Sequence, residues 1–380
     1  MTRPKVRIAL VSVLLASLLV LSACVPAAPA TAPATEQPTE QAAEAAPAAE
    51  AEAPAKEAEG AQAVAPLSPP EKVTVAYVPI MKFATLYVAK ERGFFDKYGL
   101  DVSIERAKSG TEIIAFLTEG KVDVGGIAIV ASTWTAWSKG MDLRIIAPGA
   151  LEPMENSPTM LLVRKDLYDE GKVTSVEDLK GLKVAVAGGP GSGGEYLASK
   201  ALERGGLRIS DVELVNLANP DMPAAFENKA IDAGLLGSPY AEQVVAAGHA
   251  VPLARDLTPG AMTVAFVASG KFINERPEVA KRFVLALVEA ARAMQGDDYL
   301  SPENIAAYLA YVNTTEETLR KGVPLIYDPN QRIPIEGLKD IERVHRENGR
   351  TEYTEPIDIN QVVDTSFVDF ALQVLGEYQP

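Results

Sequence analysis

The chain has 380 residues and a formal net charge of −15, with a single cysteine and two histidines. One cysteine leaves no disulfide within the chain, and two separated histidines do not fill a zinc site by spacing. The acidic balance works against nucleic acid and gives no attraction to an anionic surface.

Arg3, Lys5 and Arg7 precede the apolar run IALVSVLLASLLVLSA, which ends at Cys24. A basic start, a short apolar core and small residues before the break describe an export signal. The run is too short and too terminal for a comfortable membrane span. Leu21-Ser22-Ala23-Cys24 resembles the bacterial lipobox, so residues 1–23 are read as a lipoprotein signal peptide and Cys24 as the acylated anchor. Residues 24–70 are Ala, Pro, Glu and Thr with almost no large apolar side chain. Such a segment cannot bury enough surface to offset its ordering entropy, and it reads as a disordered tether. Without the leader's three basic residues the charge is −18, and the tether's seven Glu and one Lys leave −12 on the remainder. That remainder, about 310 residues, is long enough for two lobes with separate cores.

The next segment, from KVTVAYVPIMKFATLYVAKERGFF to EGKVDVGGIAI, is built like a later one, from LKVAVAGGPGSGGEYLASKALERGG to NKAIDAGLLGSPY. Each reads strand, turn, helix, strand, turn, helix, strand. Val88-Ala89-Lys90 matches Ala198-Ser199-Lys200 at an offset of 110, and Asp123 matches Asp232 at an offset of 109. Strands alternating with helices at this spacing predict parallel sheets with right-handed crossovers. After Gly260, MTVAFVASGKF predicts a strand returning to the first lobe; the rest is mostly helical, and VVDTSFVDFALQVLGEY predicts a last helix packed on that lobe. The expected fold is α/β and two-lobed. Lobe 1 is residues 71–160 plus 265–380, lobe 2 is residues 161–264, and two crossings near residues 160–163 and 264–267 form a hinge.

Gly189, Gly191 and Gly194 satisfy G-x-G-x-x-G, which can open a dinucleotide fold. That fold wants an acid at the carboxyl end of its second strand. Here VELVNLAN ends in Asn216 and Asn219, while Asp211 and Glu213 stand at its beginning. No Gly-Lys-Ser/Thr follows for a triphosphate. What remains is a helix start, and Ser192-x-x-Glu195 and Ser109-x-x-Glu112 both read as capping boxes. The serines cap their helices; the free N–H groups and the helix dipole also offer places for anionic ligand atoms, and the two roles are compatible.

With lipobox, tether and repeat in place, the chain resembles the substrate-binding proteins of bacterial ABC importers for nitrate, sulfonates, taurine and bicarbonate, a family that includes thiamine-pyrimidine binders. The resemblance covers nearly all of residues 72–376 and rests on YVAKERGFFDKYGLDV, EGKVDVGG, SVEDLKGLKVAV, DVELVNL, NKAIDAGLLGSPYAEQ and VDTSFVDFAL in this order. It implies a type II periplasmic-binding-protein-like (Venus flytrap) fold whose lobes close on one small ligand and deliver it to a permease and its ATPase. It further implies ligand contacts at Met81, Lys82 and Phe83, at Ser109, Gly110 and Thr111, and at Ile127, Ala128, Ser132 and Trp134. In the second lobe it implies Ser192, Gly193 and Gly194, then Gly237, Ser238 and Tyr240. Many relatives carry a glutamate where this chain has Ser238.

The expected ligand is a small organic or inorganic anion, with Lys82 helping if its side chain turns inward. A flat aromatic compound of the pyrimidine type, stacked on Phe83, Trp134 or Tyr240, is the competing ligand. Trp134 either stacks on a ligand or fills the core, and Trp137 is read as core. His249 and His345 are expected at the surface, and Glu152 and Glu155, in a Pro-containing loop, at a solvated rim. These residues make no acid/base constellation, so a monomeric binding protein is expected, not an enzyme, with no cofactor, no metal and no nucleic acid. A sensor domain serving a signalling partner and an enzyme on the same scaffold are the alternatives.

Overall fold

The computed structural model describes residues 64–107 and 109–379. The signal peptide, Cys24 and nearly all of the tether lie outside the described residues. Among the described residues, ten strands form two five-stranded sheets: β1 Glu71–Tyr77, β2 Leu100–Arg106, β3 Val124–Ala128, β4 Leu143–Pro148, β5 Met160–Arg164, β6 Lys183–Val186, β7 Glu213–Asn216, β8 Ala233–Leu236, β9 Ala250–Arg255 and β10 Val264–Ser269. The helices that bear on the site are α1 Ala84–Glu91, α2 Gly110–Thr118, α3 Ala131–Ser138, α4 Gly193–Glu203, α5 Tyr240–Ala246, α6 Pro277–Arg292, α7 Ile335–Glu347 and α8 Ser366–Leu375.

The sheet orders are β2-β1-β3-β10-β4 and β7-β6-β8-β5-β9. Position for position these are the same sheet, and the repeat seen in sequence is a repeat of structure. The matched aspartates show why. Asp123, just before β3, accepts the Thr74 N–H of β1 at 2.9 Å. Asp232, just before β8, accepts the Lys183 N–H of β6 at 3.0 Å. Each carboxylate ties the third strand of its unit to the first, and each meets an arginine, Arg276 and Arg164 respectively.

The sheets are mixed, not parallel. β10 runs against β3 and β4, and β5 runs against β8 and β9. Both strands follow a crossing, so each enters its sheet from the end where its neighbours finish. The crossings are residues 149–159 and 256–263, just outside the strands in which sequence placed them. They bond to each other: Glu152 N–H to Ala261 O at 2.9 Å and Gly260 N–H to Glu152 O at 3.1 Å.

Each sheet buries both faces, as helix-covered sheets do. In the first, Val73, Val75 and Tyr77 pack with α1, α6 and α8 on one side. Ile127, Trp134, Trp137, Ile145 and Val267 pack with α7 on the other. The returning strand and the docked last helix are as the pattern predicted. In the second sheet, Val184 and Val186 face α4, while Ala185 faces Met222 and Phe226.

Candidate functional site

The carboxyl ends of β1, β2, β3, β6 and β8 supply the loops named by the resemblance. Lys82 sits in the short 3-10 turn Met81–Phe83 after β1. Its Nζ donates to the Glu152 carboxylate and, at 2.7 Å, to Thr263 Oγ1, and its carbonyl accepts the Ala150 N–H at 2.8 Å. Lys82 thus reaches both crossings. Its charge is met by Glu152, whose side chain is only 8% exposed against 26% for Lys82. The expected solvated rim holds for Glu155, which is exposed, and not for Glu152: the second crossing lies over it. Met81 O accepts the Tyr327 hydroxyl.

Phe83, Ile127 and Trp134 lie inside the first lobe. The Phe83 ring occupies the space over Gly126, where a Cβ would come within 3.1 Å of it, and meets Phe266 edge-on at 5.5 Å. Trp134 is fully buried, 5.0 Å from Trp137, and its ring nitrogen has no partner among the described residues. Trp137 donates from its ring to Leu143 O at 3.0 Å. Of the three rings proposed for an aromatic ligand, only Tyr240 is half-exposed.

The two helix starts are open. Ser109 and Thr111 are exposed and Gly110 is half-buried; Ser109 Oγ accepts the Glu112 N–H at 3.2 Å. Ala128 is half-buried and Ser132 exposed nearby. In the second lobe Ser192 Oγ accepts the Glu195 N–H at 3.1 Å. A Cβ on Gly193 would meet nothing within 4 Å, whereas on Gly194 it would lie 2.5 Å from Ala187 O. Gly193 therefore leaves room for a ligand, and Gly194 is required by its own loop. First-turn N–H groups have no partner within the helix, so both starts present donors. Gly237 is half-buried beside Thr159, and exposed Ser238 donates to the Glu242 carboxylate of α5. A carboxylate thus stands near where relatives carry a glutamate.

Gly189 lies against the Asn216 side chain, and the Gly191 carbonyl accepts the Ala131 N–H at the start of α3, in the first lobe. Glu195 does not complete its capping box. Its carboxylate turns instead to the Gly191 N–H and to Arg350. His345 is fully buried and not at the surface, neither ring nitrogen has a partner among the described residues, and burial pushes it down to about 4. Leu338, Ile341 and His345 recur every three to four residues on the inward face of α7, a spacing that could have placed the histidine. His249 is half-buried. Glu152, Thr263, Glu242, Glu195 and Arg350 lay outside the expected set; their partners are distant in sequence or in no motif. Among the described residues no group of three or more His, Cys, Asp or Glu is placed to hold a metal, and no helix is long and apolar enough to cross a membrane.

The chain is 27% identical over 322 residues to the nitrate import ATP-binding protein NrtC of Synechocystis, an alignment covering 79% of this chain and 47% of that one. The chain thus spans about half of that relative's length. The periplasmic sulfonate-binding protein SsuA of Methylobacillus flagellatus superposes with a TM-score of 0.65 at 19% identity, over 83% of this chain and 98% of that one. The desulfurization enzyme DSZB superposes with a TM-score of 0.55 at 18% identity, over 80% of this chain and 99% of that one. At these identities the superpositions speak to fold: a two-lobed type II binding-protein architecture, carried by binding proteins and by at least one enzyme. The NMT1-like family matches residues 67–312, a span that runs from the first strand through both sheets and both crossings, and the chain belongs to that family.

Proposed function

We propose that the protein is an extracytoplasmic solute-binding component of an ABC importer, which captures a small ligand between its lobes and passes it to a permease. The observation that carries this is the pair of matching sheets joined by two crossings, each directing a serine-capped, glycine-bearing helix start to the strand ends. Two hinge crossings permit rigid-body closure, and a ligand touching both lobes favours the closed state by its differential contacts. Cys24 anchors the mature protein to the membrane through its acyl chains.

The ligand is a small anion, held by first-turn N–H groups at residues 109–111 and 192–194, with Met81, Ala128, Ser132, Gly237, Ser238 and Tyr240 completing the surround. The relatives named for nitrate and sulfonate support this class. Lys82 contributes shape and a hydrogen-bonded frame more than free charge, because Glu152 compensates it. The aromatic alternative loses support with Phe83 and Trp134 inside the core.

The site binds without chemistry. DSZB keeps the enzymatic alternative in view. Against it, His345 is walled in and His249 lies beyond the C-terminal end of α5, so neither histidine is placed to exchange protons at the strand ends. Small-angle scattering with nitrate, taurine and methanesulfonate tests the proposal. At least one should reduce the radius of gyration at saturating concentration; an unchanged profile with all three overturns the anion assignment.

A further inference from the structure

Glu195 is fully buried at the start of α4, and its carboxylate is held from two directions. Arg350 Nε and Nη2 reach Oε1 at 2.9 and 2.7 Å, and Nε also reaches Oε2 at 3.1 Å. Oε2 accepts the Gly191 N–H as well. Gly191 then gives its carbonyl to Ala131 of the first lobe at 3.1 Å. A Cβ on Gly191 would lie 3.0 Å from Ala131 Cβ and 3.8 Å from Arg350 Cβ, so a side chain here would press the lobes apart. The ligand-facing loop 188–194 therefore takes its shape from a carboxylate whose cation belongs to the other lobe.

Arg350 follows α7, whose Leu338, Ile341 and Val344 are buried in the first lobe's core. Where α7 meets α4, Tyr196 is buried beside Leu338, Ile341 and Val344, and polar pairs surround that contact. Tyr196 donates to Asp340 at 3.0 Å, Lys200 pairs with Asp340 at 3.1 Å, Arg343 with Glu203 at 2.9 Å, and Asn348 donates to Ser199 at 3.0 Å. A cavity of about 370 Å³, lined by Ser199, Leu207, Val344 and Arg350 among others, lies between the two surfaces. Polar pairs that water can replace, together with a gap, describe surfaces that separate more readily than a close-packed core.

We propose that Arg350 is a positioning residue for the ligand loop: through Glu195 it sets the turn 188–194, and it does so only while the first lobe's α7 segment lies against α4. This rests on the ligand-binding role given to that loop. A carboxylate buried without its cation is strongly unfavourable, so Glu195 is pinned while the lobes are docked and released to water when they part. Loop shape and lobe docking then favour each other, and a ligand that needs the shaped loop binds the docked state more tightly.

Hydrogen–deuterium exchange on the unliganded full chain, with Arg350→Ala, Arg350→Lys and Glu195→Gln, reads this without knowledge of the ligand. In Arg350→Ala, exchange across residues 191–196 should rise by about tenfold or more, while β6 and β8 keep their protection within about twofold. Arg350→Lys should recover part of the loss, since it restores the charge without the fork. Unchanged exchange in the loop overturns the inference. So does an equal loss throughout the second sheet in both Arg350→Ala and Glu195→Gln, which would mean a structural pair and nothing more. Calorimetry with nitrate and taurine runs beside it: a probe that binds the wild type should bind Arg350→Ala about tenfold more weakly, and undiminished affinity also overturns the inference. If neither probe binds the wild type, the anion assignment fails, and the exchange result still decides the role of Arg350.

Discussion

Replacing Lys82 by methionine should destabilise the first lobe by about 3 kcal/mol, and replacing its partner Glu152 by glutamine by only about 1 kcal/mol. The asymmetry comes from exposure. Glu152 is 8% exposed and looks into the fold, whereas Lys82 is 26% exposed and can turn towards water. Removing the cation strands a buried carboxylate, for which about 3–5 kcal/mol is typical; the lower end applies because Thr263 Oγ1 stays 3.4 Å from the same oxygen. Removing the carboxylate leaves a lysine that water and Thr263 can satisfy. The double variant should cost about 1–2 kcal/mol, far less than the sum, giving a coupling of about 2–3 kcal/mol. Urea unfolding followed by tryptophan fluorescence suits the question, since Trp134 and Trp137 both lie in the first lobe's core and report that lobe. Equal costs for the two single variants, or additive costs in the double variant, would refute the claim that Glu152 is the buried partner.

Three further outcomes are expected. His345 is held neutral by burial at about 4, below the 6.5 of a free histidine, so its contribution is full above pH 6.5, declines as the unfolded chain takes up the proton, and levels off near pH 4. The span corresponds to about 3 kcal/mol, and stability against pH for His345→Leu should run flatter than wild type across that window; parallel curves would contradict it. Gly194→Ala sets a Cβ 2.5 Å from the Ala187 carbonyl and should cost about 1–3 kcal/mol in thermal unfolding, while Gly193→Ala, in open space, should leave stability nearly unchanged and act on ligand affinity alone. Cys24→Ser should move the protein from the membrane to the soluble fraction on fractionation, and a variant that stays bound rules out the anchor.

The sequence carried the repeat well because its markers are structural necessities. Asp123 and Asp232 do the same job in each unit, and the alternation of strand and helix sets the order of the sheets. Direction was less visible: a pattern of apolar residues marks β5 and β10 as strands without saying which end they enter from. Side-chain partners were least visible. Nothing local links Arg350 to Glu195, 155 residues away, or Lys82 to Glu152 across the first lobe. Periodicity tells which face a residue occupies, as it would have for His345, and only the fold tells what that face meets. Phe83 and Trp134 show the same limit from the other side. Both stand near the strand ends named by the resemblance, yet both rings are buried in the core.

The cleft is expected to hold an anion and release it unchanged. Equilibrium dialysis of the purified full chain against a mixture of nitrate, bicarbonate, taurine and small aliphatic sulfonates and carboxylates, with mass-spectrometric recovery of what the protein retains, tests it most directly. One compound should be retained at one per chain and recovered intact. Retention of none of them, or recovery of a retained compound in altered form, would contradict it.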